Sequence, residues 1–447
     1  MRTVIISVFA LFASLALLVS GNALLGTLIS LRLNSQGTSE TTLGIILACY
    51  SLGFVVGATY GTGIIRTVGH IRAFAVYAAC ACACSLLYPI VDGPMGLGIL
   101  RLFTGYCVAG LMTVTDSWIN DRATSDNRGK LLGVYTINFY LASSLGQFLV
   151  GWNNPDHFVA YSIVAILVVL SLVPLSLTRG LVPTPPAHTH ALNLVAFIKQ
   201  APSGITGAVV SGFAISAFIG LAPIYAISSG LSLLQISSFM SFSVVCAIAL
   251  QWPAGWLSDR YGRLPVLAGL LALAAASAML VVTVGTWLTF FSFLFSGLFF
   301  AFTASIYPVS VALANDQLPN DQLVGACAAL LQLYGIGSIL GPIIAGMAMH
   351  LLGVSALFIL VASVLVSAAV AIQLVFKASD KVPIAEQVDF VTLSPVSTPV
   401  LTEIDPRNEE FAPHHPGEPA EWDIADKMEM LIPTVGSRNT DNPSVQE

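Results

Sequence analysis

Twelve apolar runs, each long enough to cross a lipid hydrocarbon core as a helix, constrain this chain more than any other feature. They fall at about 4–31, 42–65, 73–91, 97–119, 131–152, 158–178, 203–228, 235–257, 265–285, 287–314, 324–350 and 355–376. A core of roughly 30 Å takes about 20 helical residues, and longer runs fit by tilting. With 56% of 447 residues hydrophobic and a mean hydropathy of +0.85, a water-soluble fold could not hide the apolar surface. The first run follows Arg2 and carries small residues at Ser20–Ala23, as a secretory leader does. It continues to Leu31, too far for a leader core, and therefore reads as an uncleaved first helix.

The runs divide six and six. The polar stretch Arg179–Gln200, with Pro183, Pro185 and Pro186, reads as a linker between half-bundles. The halves echo each other: Leu102-Phe103-Thr104-Gly105 in span 4 answers Leu294-Phe295-Ser296-Gly297 in span 10. Likewise Gly146 to Gly151 in span 5 answers Gly341 to Gly346 in span 11. The expected organisation is an all-α integral membrane protein of twelve transmembrane helices in two pseudo-symmetric six-helix bundles, residues 1–178 and 203–377. A linker at 179–202 joins the bundles, and an acidic, disordered tail at 378–447 follows.

Charge sets the orientation. Residues 1–381 hold 14 Lys/Arg against 10 Asp/Glu, and residues 382–447 hold 3 against 13. A cytoplasmic N-terminus puts Arg2, Arg66, Arg72, Arg122, Arg128, Lys130, Arg179, Lys199, Arg260, Arg263, Lys377 and Lys381 on the inner side. Only Arg32 is then outside, so the positive-inside bias places both termini in the cytoplasm of a cell whose inner membrane the protein spans. Nucleic-acid binding is excluded for want of a basic patch. All seven cysteines lie in apolar runs; the middle of Cys80, Cys82 and Cys84 points away from the others on a helix, and no histidine or carboxylate completes a metal site. No cofactor is expected. No P-loop or nucleophile–base arrangement suggests an enzyme.

Between spans 8 and 9 lies a short polar hinge, Gly255-Trp256-Leu257-Ser258-Asp259-Arg260-Tyr261-Gly262-Arg263. Charges packed this densely between two membrane-length runs belong at a water interface. The stretch resembles the loop signature of the major facilitator superfamily, G-x-L-x-D-R-x-G-R-[KR]-x-x-L. Gly255, Leu257, Asp259, Arg260, Gly262, Arg263 and Leu267 fill their positions, and Leu264 replaces the second basic residue. The first half has its own hinge, Gly61 through Arg72, which keeps Arg66 and Gly69 but has Ile65 in place of the acid. Together with Asp116-Ser117-Trp118 and Arg128-Gly129, it is similar to the YcaD-like permeases, a bacterial subgroup. The wider resemblance covers residues 1–377. It implies a transporter in which hinge residues close an inner gate, with Asp259 set against the N-terminus of span 5, near Gly129–Leu132.

Two groups are candidates for coupling. Arg101 in span 4 resembles the superfamily's span-4 arginine, which takes part in coupling in proton-driven members; the alternative is an arginine snorkelling to the outer surface. Asp116 is either a gate partner for Arg66, Arg72 or Arg128 or a reversibly protonated site. The central cavity is expected on spans 1, 4, 5, 7, 10 and 11, with Asn22, Tyr140, Ser144, Gln147, Thr303, Tyr307, Gln332 and Tyr334 as lining candidates. Span 5 has Gly146-Gln147 where drug/proton antiporters show Gly-Pro, and span 1 offers no acid to Arg101.

These features predict a secondary transporter of a small, largely apolar or uncharged solute, working by alternating access as a monomer. Protons are a candidate coupling ion, and the subgroup resemblance tilts the direction toward export. The reading from another class is a transporter-derived receptor or scaffold signalling through the acidic tail, where Glu421–Val435 could form a short partner-binding helix.

Overall fold

A computed structural model describes residues 2–123, 128–152, 154–177, 194–285, 288–318 and 322–376. Most of the linker, the whole tail with Glu421–Val435, and Arg179, Lys377 and Lys381 lie outside the described residues, as do the side chains of Arg2, Arg122 and Arg128. Among the described residues every regular element is helical: α1 (Arg2–Ser35), α2 (Glu40–Tyr60), α3 (Thr62–Val68), α4 (His70–Leu87), α5 (Pro94–Arg122), α6 (Arg128–Leu149), α7 (Phe158–Leu170), α8 (Leu172–Leu177), α9 (Leu194–Gln200), α10 (Pro202–Ser228), α11 (Leu233–Tyr261), α12 (Arg263–Thr283), α13 (Thr289–Asn315), α14 (Leu323–Leu352) and α15 (Ala356–Phe376).

Eleven of these segments are long and apolar enough to span a membrane, with α7 and α8 forming one. The remaining predicted span, α6, is the polar exception: it carries Tyr135, Thr136, Asn138, Tyr140, Ser143, Ser144 and Gln147. Its polarity follows from its place. It packs against α1 in its own half and α11 in the other, so its polar residues serve those contacts while Val134, Leu141 and Leu145 keep an exposed apolar stripe. Spans 2 and 3 differ from the expected bounds, because α2 stops at Tyr60 and the rest of the first hinge forms the separate short helix α3. The segment predicted as wholly linker also ends in a helix, α9.

Turn chemistry matches the sequence. Ser39 caps α2, and Ser232 with Gln235 forms a reciprocal capping box at α11. Each hinge pivots on one glycine: Gly69 (φ 84°) and Gly262 (φ 89°) occupy the same positive-φ conformation, which a side chain would strain.

The two halves meet chiefly through the helix pairs α2 with α14, α6 with α11, and α1 with α10. The pairs are tight at the end opposite the hinges. A Cβ at Gly44 would overlap the Pro342 carbonyl oxygen, and one at Gly346 would overlap that of Glu40. Beside them His350 Nδ1 lies 3.3 Å from Glu40 Oε2. On α6–α11, the Ser144 and Ser241 hydroxyls are 2.6 Å apart and Gly151 packs on Ser237. At the hinge end the same pairs stand apart, leaving a cleft of about 440 Å³ between α6 and α11 lined by Gly129, Gly133, Trp256 and Asp259. The molecule is closed at the far end and parted at the hinge end.

Candidate functional site

That parting opens a central cavity of about 620 Å³. Its lining runs from half-buried Asn22 and buried Arg101 to exposed Tyr60, Gly63 and Arg66 at the hinge end. Helices α1, α2, α3, α5, α6, α10, α11, α13 and α14 contribute, so both halves build it.

The inner part is organised around Tyr50. Asn22 Nδ2 donates to the Tyr50 hydroxyl at 2.9 Å, and the Arg101 guanidinium lies over the Tyr50 ring with Cζ 4.8 Å from its centroid. Arg101 is only 5% exposed. It therefore does not snorkel to the surface; its charge faces an aromatic ring, a favourable contact in a desolvated site. Across the cavity, Thr27 donates to Gln147 Oε1 at 2.5 Å, which leaves the Gln147 amide hydrogens for other acceptors. Gln251 Nε2 reaches the Tyr140 hydroxyl at 3.5 Å and the Ala304 carbonyl at 3.4 Å, bridging the halves toward the hinge end.

Of the eight predicted lining residues, Asn22, Tyr140, Gln147, Gln332 and Tyr334 border the cavity. Ser144, Thr303 and Tyr307 do not, which corrects those expectations. Ser144 is spent on Ser241 at the contact between the halves. Thr303 donates to the Phe299 carbonyl of its own helix at 2.7 Å, the usual way a membrane helix satisfies a hydroxyl. Tyr307 is buried behind Tyr334, with the two ring centroids 5.1 Å apart. The expected set of spans is also corrected: α13 supplies only Phe300, whereas α2, which was not expected, supplies Tyr50, Ser51, Phe54 and Val55. A tyrosine eight residues into an otherwise apolar run, four before Phe54, was the available signal for α2.

The hinge residues separate into distinct settings. Arg263 is fully buried; its Nε donates to Asp316, and its Nη1 lies 3.6 Å from Asp259. Asp316, just past the end of α13, was missed because nothing in the sequence marks it as Arg263's partner. Asp259 is 39% exposed and shares the cleft with Gly129 and Gly133 at the start of α6. Gly255 lines the same cleft. Arg260 is exposed over Trp256 and Tyr261. In the first half, Arg66 stands at the cavity mouth and Arg72 is exposed. Asp116 is fully buried in α5 and is not part of the cavity lining. Fifteen residues separate it from Arg101, about 22 Å along the helix. At the far end Arg32, buried at 8% exposure, donates to the Tyr88 and Pro89 carbonyls at the end of α4, where the helix dipole favours a cation.

Comparison with known proteins agrees with this architecture. The family model described as Major Facilitator Superfamily matches residues 10–241 and 204–402. A protein of Salmonella enteritidis PT4 named as the uncharacterized MFS-type transporter YcaD is 29% identical over 367 residues, covering 80% of this chain and 92% of that protein. The protein of the same name from Salmonella typhimurium aligns to the same extent. Among solved structures, a bacterial homologue of the human lysosomal transporter Spinster, in an inward-facing and occupied conformation, superposes with a TM-score of 0.70 at 14% identity, over 85% of this chain and 97% of that one. The nucleoside transporter NupG gives 0.66 at 14% identity, over 84% and 100%. A D-xylose-proton symporter gives 0.65 at 18% identity, over 82% and 96%. The chain is a multi-pass membrane protein that belongs to the major facilitator superfamily of transporters.

Proposed function

We propose that this protein is a secondary active transporter that carries a small solute through the bacterial inner membrane by alternating access, with the hinge end and both termini in the cytoplasm. One observation carries the reading: a cavity shared by both halves, parted at the hinge end and sealed at the other by backbone-tight packing of α2 on α14 and the serine contact of α6 on α11. In this reading the structure is the inward-open state. The solute enters or leaves past Tyr60 and Arg66, and the opposite state forms when the far-end contacts part and the hinge ends meet.

Closing the hinge end would bring Asp259 onto the start of α6, where the helix dipole favours a carboxylate. Asp116 belongs to the gate in this reading, because it is buried away from the cavity and far along α5 from Arg101. The direction taken from the subgroup resemblance is export.

A test that needs no knowledge of the solute is cysteine accessibility. In a background freed of the seven native cysteines, Ser216→Cys places one thiol on the cavity wall. A membrane-impermeant methanethiosulfonate should label it from either face over time. Joining Glu40→Cys and His350→Cys with a bifunctional reagent should abolish labelling from the far face alone. Far-face labelling that persists under the cross-link would sink the alternating-access reading.

A further inference from the structure

The cavity's inner end carries one enclosed positive charge, that of Arg101. The cavity lining holds two arginines, Arg66 and Arg101, and no carboxylate. The two are well separated: Arg66 is at the mouth, sixteen residues beyond Tyr50, about 24 Å of helix from the aromatic that Arg101 covers. Only Arg101 is enclosed, at 5% exposure, and among the described residues it forms no ion pair. Its Nε–H is buried and makes no hydrogen bond. A desolvated guanidinium with an unused donor is costly, and an incoming anion removes that cost.

The neighbours add donors. Because the Tyr50 hydroxyl oxygen accepts from Asn22, its own proton is left to point elsewhere. The Arg101 Nε–H and the Tyr50 O–H are thus two unspent donors on neighbouring side chains at the inner end of the cavity. Beyond them apolar side chains, Leu47, Phe54, Phe139, Ile215, Ile219 and Phe300, share the walls with neutral polar ones such as Gln147 and Gln332, and the lining holds no second cation before Arg66 at the mouth. A second negative charge on the same ligand would find neutral donors but no cation to pair with, and a desolvated charge without a counter-charge is costly.

We propose that the solute is an organic monoanion, a single carboxylate or comparable acid group on an apolar body, with Arg101 as its charge receptor and Tyr50 as the second donor. This rests on the transport reading above and replaces the uncharged solute expected from sequence with a singly charged one. The apolar body could be aromatic or an acyl chain, and the test separates the two.

The experiment uses the purified full-length chain in detergent, with ligand stabilisation read by thermal unfolding. One arm compares 3-phenylpropionate with 3-phenylpropanamide and 3-phenylpropylamine; a parallel arm compares decanoate with decanamide. The carboxylate should half-saturate at about 10- to 100-fold lower concentration than its amide, as expected for a charge-assisted bond, and the amine should not stabilise. Arg101→Gln should erase the preference for the carboxylate, while Arg101→Lys, which keeps a point charge, should retain part of it. The arm that responds tells an aromatic acid from a fatty acid. Equal binding of amide and carboxylate, a preference that survives Arg101→Gln, or no stabilisation by either carboxylate would each overturn the proposal.

Counterflow in proteoliposomes reads the transport function separately. Movement of any probe, of whatever charge, upholds transport even where the monoanion proposal has failed. A carboxylate that binds through Arg101 but never crosses upholds the site and overturns the carrier.

Discussion

Gly44 offers the sharpest test of how the far end is held shut. In the observed state a Cβ at this position would overlap the backbone carbonyl oxygen of Pro342. Backbone cannot rotate aside as a long side chain can, so Gly44→Ala must push α2 and α14 apart or strain them. Overpacking of this kind costs about 1–3 kcal/mol. Alanine's better helix propensity, worth about 1 kcal/mol, applies equally to the far-closed and far-open states and cancels between them. The overlap exists only where α2 and α14 meet, so its whole cost falls on the far-closed state. It should move the equilibrium by about 5- to 150-fold toward far-open. A nine-to-one preference for closure would then fall to about two to one or below.

Spin labels at Ile90→Cys and Phe290→Cys, both exposed and at the far ends of opposite halves, give a distance distribution by pulsed electron spectroscopy. The variant should lengthen the dominant distance. Gly269→Ala, where an added Cβ meets nothing within 4 Å, is the control and should leave the distribution unchanged. If Gly44→Ala also leaves it unchanged, far-end closure does not depend on that approach and the reasoning fails.

Asp316→Ala should strand the fully buried Arg263 and lower stability by about 3–5 kcal/mol, seen as a large drop in thermal midpoint in detergent. Asp259→Ala, which removes a 39%-exposed partner 3.6 Å from Arg263, should cost no more than about 1 kcal/mol by the same measurement; equal losses would refute the division of labour between the two acids. Thr303→Val should leave ligand stabilisation unchanged because its hydroxyl serves the Phe299 carbonyl, whereas Gln147→Leu should weaken it several-fold; the reverse result would put α13 back in the cavity wall.

The sequence was most legible where lipid sets the rules. Apolar length located the spans, and charges clustered between apolar runs, Asp259 with Arg260 and Arg263 and Arg66 with Arg72, located both hinges, because charge is driven to the water interface. The cavity was legible in part, for a physical reason. A helix carrying Thr303, Tyr307 and Ser310 at i, i+4 and i+7 announces a polar face, but not whether that face looks into a cavity or onto its own backbone. Here Thr303 and Ser310 both bond the carbonyl four residues back. The amides fared differently: Asn22 and Gln147 have more groups to satisfy than one carbonyl can serve, and both border the cavity. Asp316 was illegible because its role comes from packing the start of α12 against the end of α13, fifty-three residues apart in the chain.

The placement of Arg263 bears on what moves. Its partners Asp259 and Asp316 come from the end of α11 and just past α13, and Arg263 itself opens α12. All three belong to the second half. The buried pair and its neighbour therefore tie three helices of one bundle together at the hinge end rather than bolting the two bundles to each other. Breaking such a cluster in every cycle would be costly. The contacts described as crossing between the halves are of another kind: glycines against carbonyls or a serine, one serine pair, one long Gln251–Tyr140 hydrogen bond and one exposed Glu40–His350 contact. Each of these can part and re-form at small cost, since exposed ion pairs are worth at most about 1 kcal/mol. Strong links within a half and weak links between halves are what rigid-body rocking requires. On that physics the hinge motif holds a moving body together, and its exposed acid, Asp259, is left to meet α6 when the hinge end closes.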